Sequence, residues 1–171
     1  MTKKAAFFML GSILFLLIHF RSAAQGNEEQ LSPEALQAKV FDLEGEEYTL
    51  KGILEQFPGQ PIFIDLWASW CRDCIVGFPK IKEYQKKYPD VGFVYLSVDK
   101  KEDEWKRGIE RFDLEGAHFR LDEGWNSVFC ESVELDWIPR YMVMNSEGRI
   151  LHYKSIKADD KALQKIIRLN Q

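Results

Sequence analysis

Cysteine is scarce in this chain, with three in 171 residues. That excludes a small fold stapled by several disulfides. Histidine is equally rare, again three, and none of its positions pairs with a cysteine at metal-ligand spacing, so a tetrahedral zinc site would lack ligands. Excess positive charge is absent too. The formal net charge is −4 with both signs interspersed, which gives no electrostatic support to nucleic-acid binding. We find no internal repeat, low-complexity tract or long Pro/Gly/Ser linker. What the chain does have is apolar mass. With 46% hydrophobic and 13% aromatic residues it can bury a sizeable core, at a length near one domain plus some extra sequence.

The N-terminus sets the expected compartment. Lys3 and Lys4 precede an apolar run from Ala5 to Phe20, followed by the small residues Ser22-Ala23-Ala24. That order is the pattern of a secretory signal peptide over residues 1–24. The alternative is an uncleaved anchor, although the run is shorter than the ~20 residues a spanning helix prefers. Cleavage after Ala24 would remove Lys3, Lys4 and Arg21 and take the net charge from −4 to −7. A periplasmic or otherwise extracytoplasmic location follows, where disulfides persist. Residues 25–38 read as a flexible polar segment, and residues 39–171 as the folded domain.

Within that domain one stretch carries the chemistry. Ile62 to Leu66 is a short apolar run broken only by Asp65, and the sequence then turns through Trp67-Ala68-Ser69-Trp70 into Cys71-Arg72-Asp73-Cys74. Ile75, Phe78, Ile81, Tyr84 and Tyr88 follow at helical spacing. A strand running into a helix puts Cys71 at the helix start and Cys74 one turn in. The free amides and positive dipole end there favour a thiolate and lower the Cys71 pKa. The i, i+3 relation places both sulfurs on one face, within reach of a disulfide. A thiolate beside a second thiol is suited to disulfide exchange. The remaining thiol, Cys130, reads as a small buried hydrophobe.

The rest of the chain supplies the frame. Val40 to Leu50 predicts a hairpin turning at Glu44-Gly45, and Leu50 to Phe57 a short helix. Val91–Val98 is a second buried strand, Glu102 to Phe112 an amphipathic helix, and His118–Leu121 a short strand. Trp125–Val133 predicts a helix carrying Cys130. Tyr141–Met144, a turn at Asn145–Gly148 and Ile150–Tyr153 make a second hairpin, and Asp159–Leu169 a final helix. Pro79 should kink the helix that starts at Cys71. This order predicts an α/β fold, a mixed sheet flanked by helices.

Trp67-Ala-Ser-Trp-Cys-Arg-Asp-Cys74, followed by Phe78-Pro79 and later by Trp137-Ile138-Pro139, resembles the thioredoxin superfamily. The secretory start, the N-terminal hairpin and the helical insert around Trp105–Val133 resemble its TlpA/ResA-like extracytoplasmic branch. The resemblance covers about Val40 to Leu169. It implies a thioredoxin-like fold and thiol:disulfide exchange with protein substrates. Cys71 matches the nucleophilic cysteine and Cys74 the resolving one. Asp65 matches the buried aspartate that takes the resolving thiol's proton. Pro139 matches the cis-proline, whose missing N–H exposes neighbouring backbone to an extended substrate. Trp70, Arg72 and Ile138 join it as the substrate-binding face. No metal or cofactor is implied beyond the Cys71–Cys74 couple itself. The expected partners are disulfide-containing proteins and a redox partner that recycles the pair, with a membrane involved only if the N-terminal segment stays attached. The resemblance favours reduction over oxidation.

Three positions depart from the family pattern. Asp73 stands where proline is common before the second cysteine, and its charge opposes the thiolate. Gly77 stands where many ResA-like members carry a glutamate. Arg140 stands where threonine is common and is expected to bias substrate choice towards acidic surfaces. Two other readings are weighed against the enzyme: a non-catalytic binding module using the Pro139 surface, and a thiol peroxidase. The second would need a Thr/Ser and Arg around a peroxidatic cysteine, a pattern the Trp-Cys-x-x-Cys setting lacks.

Overall fold

The computed structural model describes residues 29–170, so the segment read as a signal peptide lies outside the described residues. Strand β3 (Ile62–Trp67) is buried along its whole length. It pairs in parallel with β4 (Gly92–Ser97), which pairs in parallel with β5 (Ala117–Leu121). The connecting helices are α3 (Arg72–Lys87) and α4 (Glu102–Phe112). On the far side of β3, β6 (Arg140–Met144) runs antiparallel and turns into β7 (Ile150–Ser155). The hairpin β1 (Lys39–Phe41) and β2 (Glu47–Thr49) closes the other end, where β1 lies antiparallel to β5. The full order is β2-β1-β5-β4-β3-β6-β7, a mixed sheet of seven strands. This is the fold class expected from the alternation of strand and helix patterns.

Side-chain phase decides which helix covers which face. Phe63 packs edge-on to Tyr84 of α3, and Trp67 packs edge-on to Phe78 of α3. Asp65, between them in phase, therefore faces the same layer as α3. Gly92 is out of phase with Phe93 and faces Phe57 on the other side, so the turn that follows α2 (Leu50–Leu54) lies on the opposite face. Local chemistry fixes the turns. Asp42 Oδ1 accepts from the amides of Glu44 and Glu46 at 3.0 and 2.8 Å, and Gly45 takes the positive φ that the hairpin requires.

Two expectations are corrected. The polar segment 25–38 is not a loose lead-in from Glu29 onward. Gln30 bridges Arg149, Leu31 donates to the Gly148 carbonyl at 3.1 Å, and Ser32 caps a short helix α1 (Pro33–Leu36). Leu31 and Ala35, two apolar residues in a polar context, are buried and tie it down. The helix expected over Trp125–Val133 is split into a 3-10 turn at Gly124–Asn126 and α5 (Val128–Ser132). Ser127 takes extended dihedrals and its Oγ accepts from Cys130 N at 3.2 Å. An N-cap residue inside the apolar pattern starts a new helix. Helix α3, by contrast, continues through the exposed Pro79 to Lys87.

Gly77 explains how closely α3 lies on β6. A Cβ there would collide with the Tyr141 hydroxyl, while the ring carbon bearing it would sit at an ordinary 3.4 Å. The phenol thus occupies the space a side chain at 77 would need. Gly77→Ala should destabilise the fold by about 1–3 kcal/mol through overpacking. Tyr141→Phe, which removes only the colliding oxygen, should restore most of that loss in the double variant. Denaturant unfolding of the two single variants and the double variant measures the coupling; additive effects would contradict it.

Candidate active site

The site begins where β3 ends. Trp67 still belongs to the ladder, its carbonyl accepting from Val98 N at 2.9 Å, and the chain then reverses as Cys71 N donates to the Ala68 carbonyl at 3.0 Å. Ser69 anchors this reversal to the end of β4. Its amide and hydroxyl each donate to Asp99 at 2.8 Å, and Ser97 Oγ donates to the same carboxylate at 2.8 Å. Asp99 is fully buried, so a charge-assisted network fixes the loop that delivers the first cysteine. Sequence reasoning missed this pair. The available signal was an aspartate closing the parallel strand next to β3, at the strand ends where such sheets carry their sites.

Cys71 is the N-cap of α3, with extended dihedrals, and its Sγ accepts from Cys74 N at 3.1 Å. Cys71 and Cys74 form a disulfide with Cα atoms 5.3 Å apart. Cys71 keeps 5% exposure and Cys74 none, so only the first sulfur can be approached from outside. Around it the surface is apolar. Trp70 is 61% exposed, Val76 72%, Trp137 54% and Ile156 48%. Arg72 and Asp73 are also exposed. A groove of about 460 Å³ runs past Asp73, Val76, Lys80, Trp137, Ile156 and Lys157.

The Trp137–Pro139 segment reaches the site through sheet register. Leu66 of β3 pairs with Arg140 of β6, so the residues just before Arg140 lie beside the chain just before Cys71. The Ile138–Pro139 peptide is cis, and both residues are buried beside the exposed Trp137. Asp65 lies one layer down, wholly buried, and neither carboxyl oxygen has a protein partner. Burial alone pushes its pKa well above the usual carboxylate range. Its neighbours in register are Tyr95 and Tyr141, whose hydroxyls are also buried without a protein partner. The structure therefore brings Cys71, Cys74, Trp70, Arg72, Ile138 and Pro139 to one face, with Asp65 beneath it.

Arg140 does not behave as expected. It has no exposed surface, and its guanidinium points to Asp136 and Tyr153, so it cannot present a positive charge to an acidic substrate. The other scarce residues lie elsewhere. Cys130 is buried, with its thiol pKa raised to about 11 by burial. His118 stacks on Tyr95 at 4.8 Å and shares a hydrogen bond with the Leu114 carbonyl at 3.0 Å. Burial lowers its pKa to about 4. Among the described residues no group of three or more His, Cys, Asp or Glu side chains could hold a metal ion.

Comparison with known proteins agrees with this geometry. Residues 59–150 match the family model described as thioredoxin-like. The thiol-disulfide oxidoreductase ResA of Bacillus thuringiensis (strain Al Hakam) is 30% identical over 131 residues, covering 75% of this chain and 71% of that protein. ResA of a Bacillus cereus strain is 26% identical over 130 residues, with 75% and 71% covered. Among solved structures, the thioredoxin domain of a thiol-disulfide oxidoreductase from Bacteroides vulgatus superposes with a TM-score of 0.67 at 20% identity, covering 88% of this chain and all of that one. At that identity the superposition speaks for the fold alone. With its matched domain, its ResA relatives and its Cys71–Cys74 pair, this chain belongs to the thioredoxin-like family as a thiol-disulfide oxidoreductase.

Proposed function

We propose that the protein reduces disulfides of extracytoplasmic proteins, with Cys71 as nucleophile, Cys74 as resolving thiol and Asp65 as proton acceptor. The observation that carries this reading is the placement of Cys71 Sγ on the Cys74 amide at the start of α3. In the reduced protein that amide and the helix dipole stabilise a thiolate. The thiolate attacks one sulfur of the substrate disulfide, forming a mixed disulfide and releasing the other sulfur as a thiolate that takes up a proton. Cys74 then gives its proton to Asp65 and attacks Cys71 Sγ. The substrate's second sulfur leaves, and Cys71–Cys74 ends oxidised. Two thiols are lost here and two are gained on the substrate, so no cofactor is called for. A dithiol partner must re-reduce the pair.

Trp70, Arg72, Ile138 and Pro139 form the face that receives the substrate in this reading, with Trp137 and Val76 extending its apolar rim. The extracytoplasmic location rests on the basic, apolar and small-residue order of residues 1–24. The chain would then act as residues 25–171 after cleavage, and stay at a membrane only if that segment were retained.

Cys71→Ser should abolish reduction of a protein disulfide such as insulin in the presence of a dithiol. Cys74→Ser should instead accumulate the mixed disulfide, detectable by mass spectrometry. The Cys71 thiol should titrate below the ordinary ~8.5 of a free cysteine. Equilibration with dithiol buffers should give a potential more reducing than about −200 mV, whereas a value near −120 mV would assign it to oxidation. A parent protein that reduces no disulfide, and a Cys71→Ser variant that functions as the parent does, would instead favour the binding-module reading.

Asp65 allows a separate check. Its carboxyl holds its proton more tightly folded than unfolded, so the stability this confers is complete below the unfolded pKa of ~3.9 and is lost as pH rises through the raised folded value. Asp65→Asn should remove that decline and raise stability at pH 8 by about 1–3 kcal/mol. It should also slow resolution of the mixed disulfide by about a hundredfold. Unfolding curves at pH 5 and 8, with the lifetime of the mixed disulfide, measure both. An unchanged lifetime would remove Asp65 from the proton transfer.

A further inference from the structure

The segment that brings Trp137, Ile138 and Pro139 to the sulfurs is held in an unusual way. Among the described residues, no backbone hydrogen bond outside the strand ladders ties Asp136 to Pro139. Its polar attachment is a side chain. Arg140 Nη2 donates to Asp136 Oδ1, spanning the three residues between them. Arg140 has no exposed surface, whereas the Asp136 side chain is 65% exposed, so the fixed partner is the arginine. Arg140 is itself held on the opposite side. Nη1 donates to Tyr153 Oη at 3.4 Å, the guanidinium lies 5.5 Å from the Tyr153 ring centre, and Tyr153 Oη donates to the Val133 carbonyl. Lys154 Nζ approaches Asp136 Oδ2 at 3.7 Å. The chain before the segment is fixed by Leu135 N donating to the Cys130 carbonyl at 2.9 Å.

We propose that Arg140 and Asp136 act as a positioning pair, a side-chain clasp that sets where Trp137–Pro139 stands relative to Cys71 and so governs how tightly a protein disulfide is held. A three-residue segment without backbone ties of its own takes its position from its ends. One end is strand β6, starting at Arg140. The other is Asp136, whose oxygen is drawn to the same arginine. Burial works to raise the Asp136 carboxyl, but the Arg140 hydrogen bond with the Lys154 and Arg140 charges brings it below the usual range, consistent with an ionised partner in the clasp. Loosening the clasp moves the substrate-facing backbone without touching the sulfurs. A small disulfide that needs only Cys71 should not notice; a protein that lies along the segment should.

The inference rests on the exchange reading above, and the test separates the two. Reduction of insulin and of the small aromatic disulfide 5,5′-dithiobis(2-nitrobenzoate) would be compared in the full protein and in Asp136→Ala, Asp136→Asn and Arg140→Lys. Asp136→Ala removes an exposed side chain and should fold. Its KM for insulin should rise about tenfold, a size in keeping with displaced binding groups, while kcat, the small-disulfide rate and the Cys71 acid dissociation constant stay within twofold. Asp136→Asn, which keeps the acceptor oxygen, and Arg140→Lys, which keeps the charge but loses the second donor, should fall between. An insulin KM within twofold of the parent in Asp136→Ala overturns the clasp, as does a parallel loss of the small-disulfide rate. A parent protein that reduces neither disulfide overturns the exchange reading itself. A parent that reduces only the small one overturns the protein-substrate role and the clasp with it.

Discussion

Everything the molecule can do chemically depends on a sulfur standing where a helix begins. An N-cap side chain normally supplies an oxygen to a free amide; here the disulfide sulfur of Cys71 does it, accepting from Cys74 N. In the exchange proposed above, that contact favours the anion once the pair is reduced. The fold exists, in effect, to present this contact. The parallel pairing of β3 with β4 ends at Trp67, and the Asp99 carboxylate holds Ser69 so that the turn into α3 has one geometry.

The second constraint is electrostatic. A carboxyl group without a protein partner in the middle of a sheet is costly, and it persists here between two tyrosines whose hydroxyls are equally unpartnered. A core designed for stability alone would carry an apolar residue at position 65. Its raised proton affinity fits a group that must be neutral for part of a cycle and charged for another, which is the demand of thiol resolution.

How much of this was legible before the structure follows from the range of each interaction. Cys71, Cys74 and the strand before them form a local pattern, and the cis peptide at Pro139 was reachable through a motif. Both read correctly because the signal lies within a few residues of itself. The clasp between Arg140 and Asp136 is also local in sequence, but an arginine after a proline gives no sign that it will be buried; that required β7 to bring Tyr153 over it. Ser69 and Asp99 are thirty residues apart and meet only because the strand pairing is parallel. The helix over Trp125–Val133 was overdrawn because its apolar spacing hid the capping role of Ser127. The segment from Glu29 was underrated because two apolar residues among polar ones look weak until a groove receives them. Gly77 was read as a missing glutamate, when the physical fact is that a phenol already fills the space.

The buried third sulfur has a consequence for stoichiometry. Cys130 is only 2% exposed, and burial holds its thiol in the protonated form at neutral pH. In the exchange proposed above, a buried, protonated thiol is a poor nucleophile towards an intermediate at Cys71. Each molecule therefore stores one electron pair, and its charge state is a simple binary. In the exchange proposed above, that arithmetic leaves no half-loaded form to deliver electrons to the wrong bond.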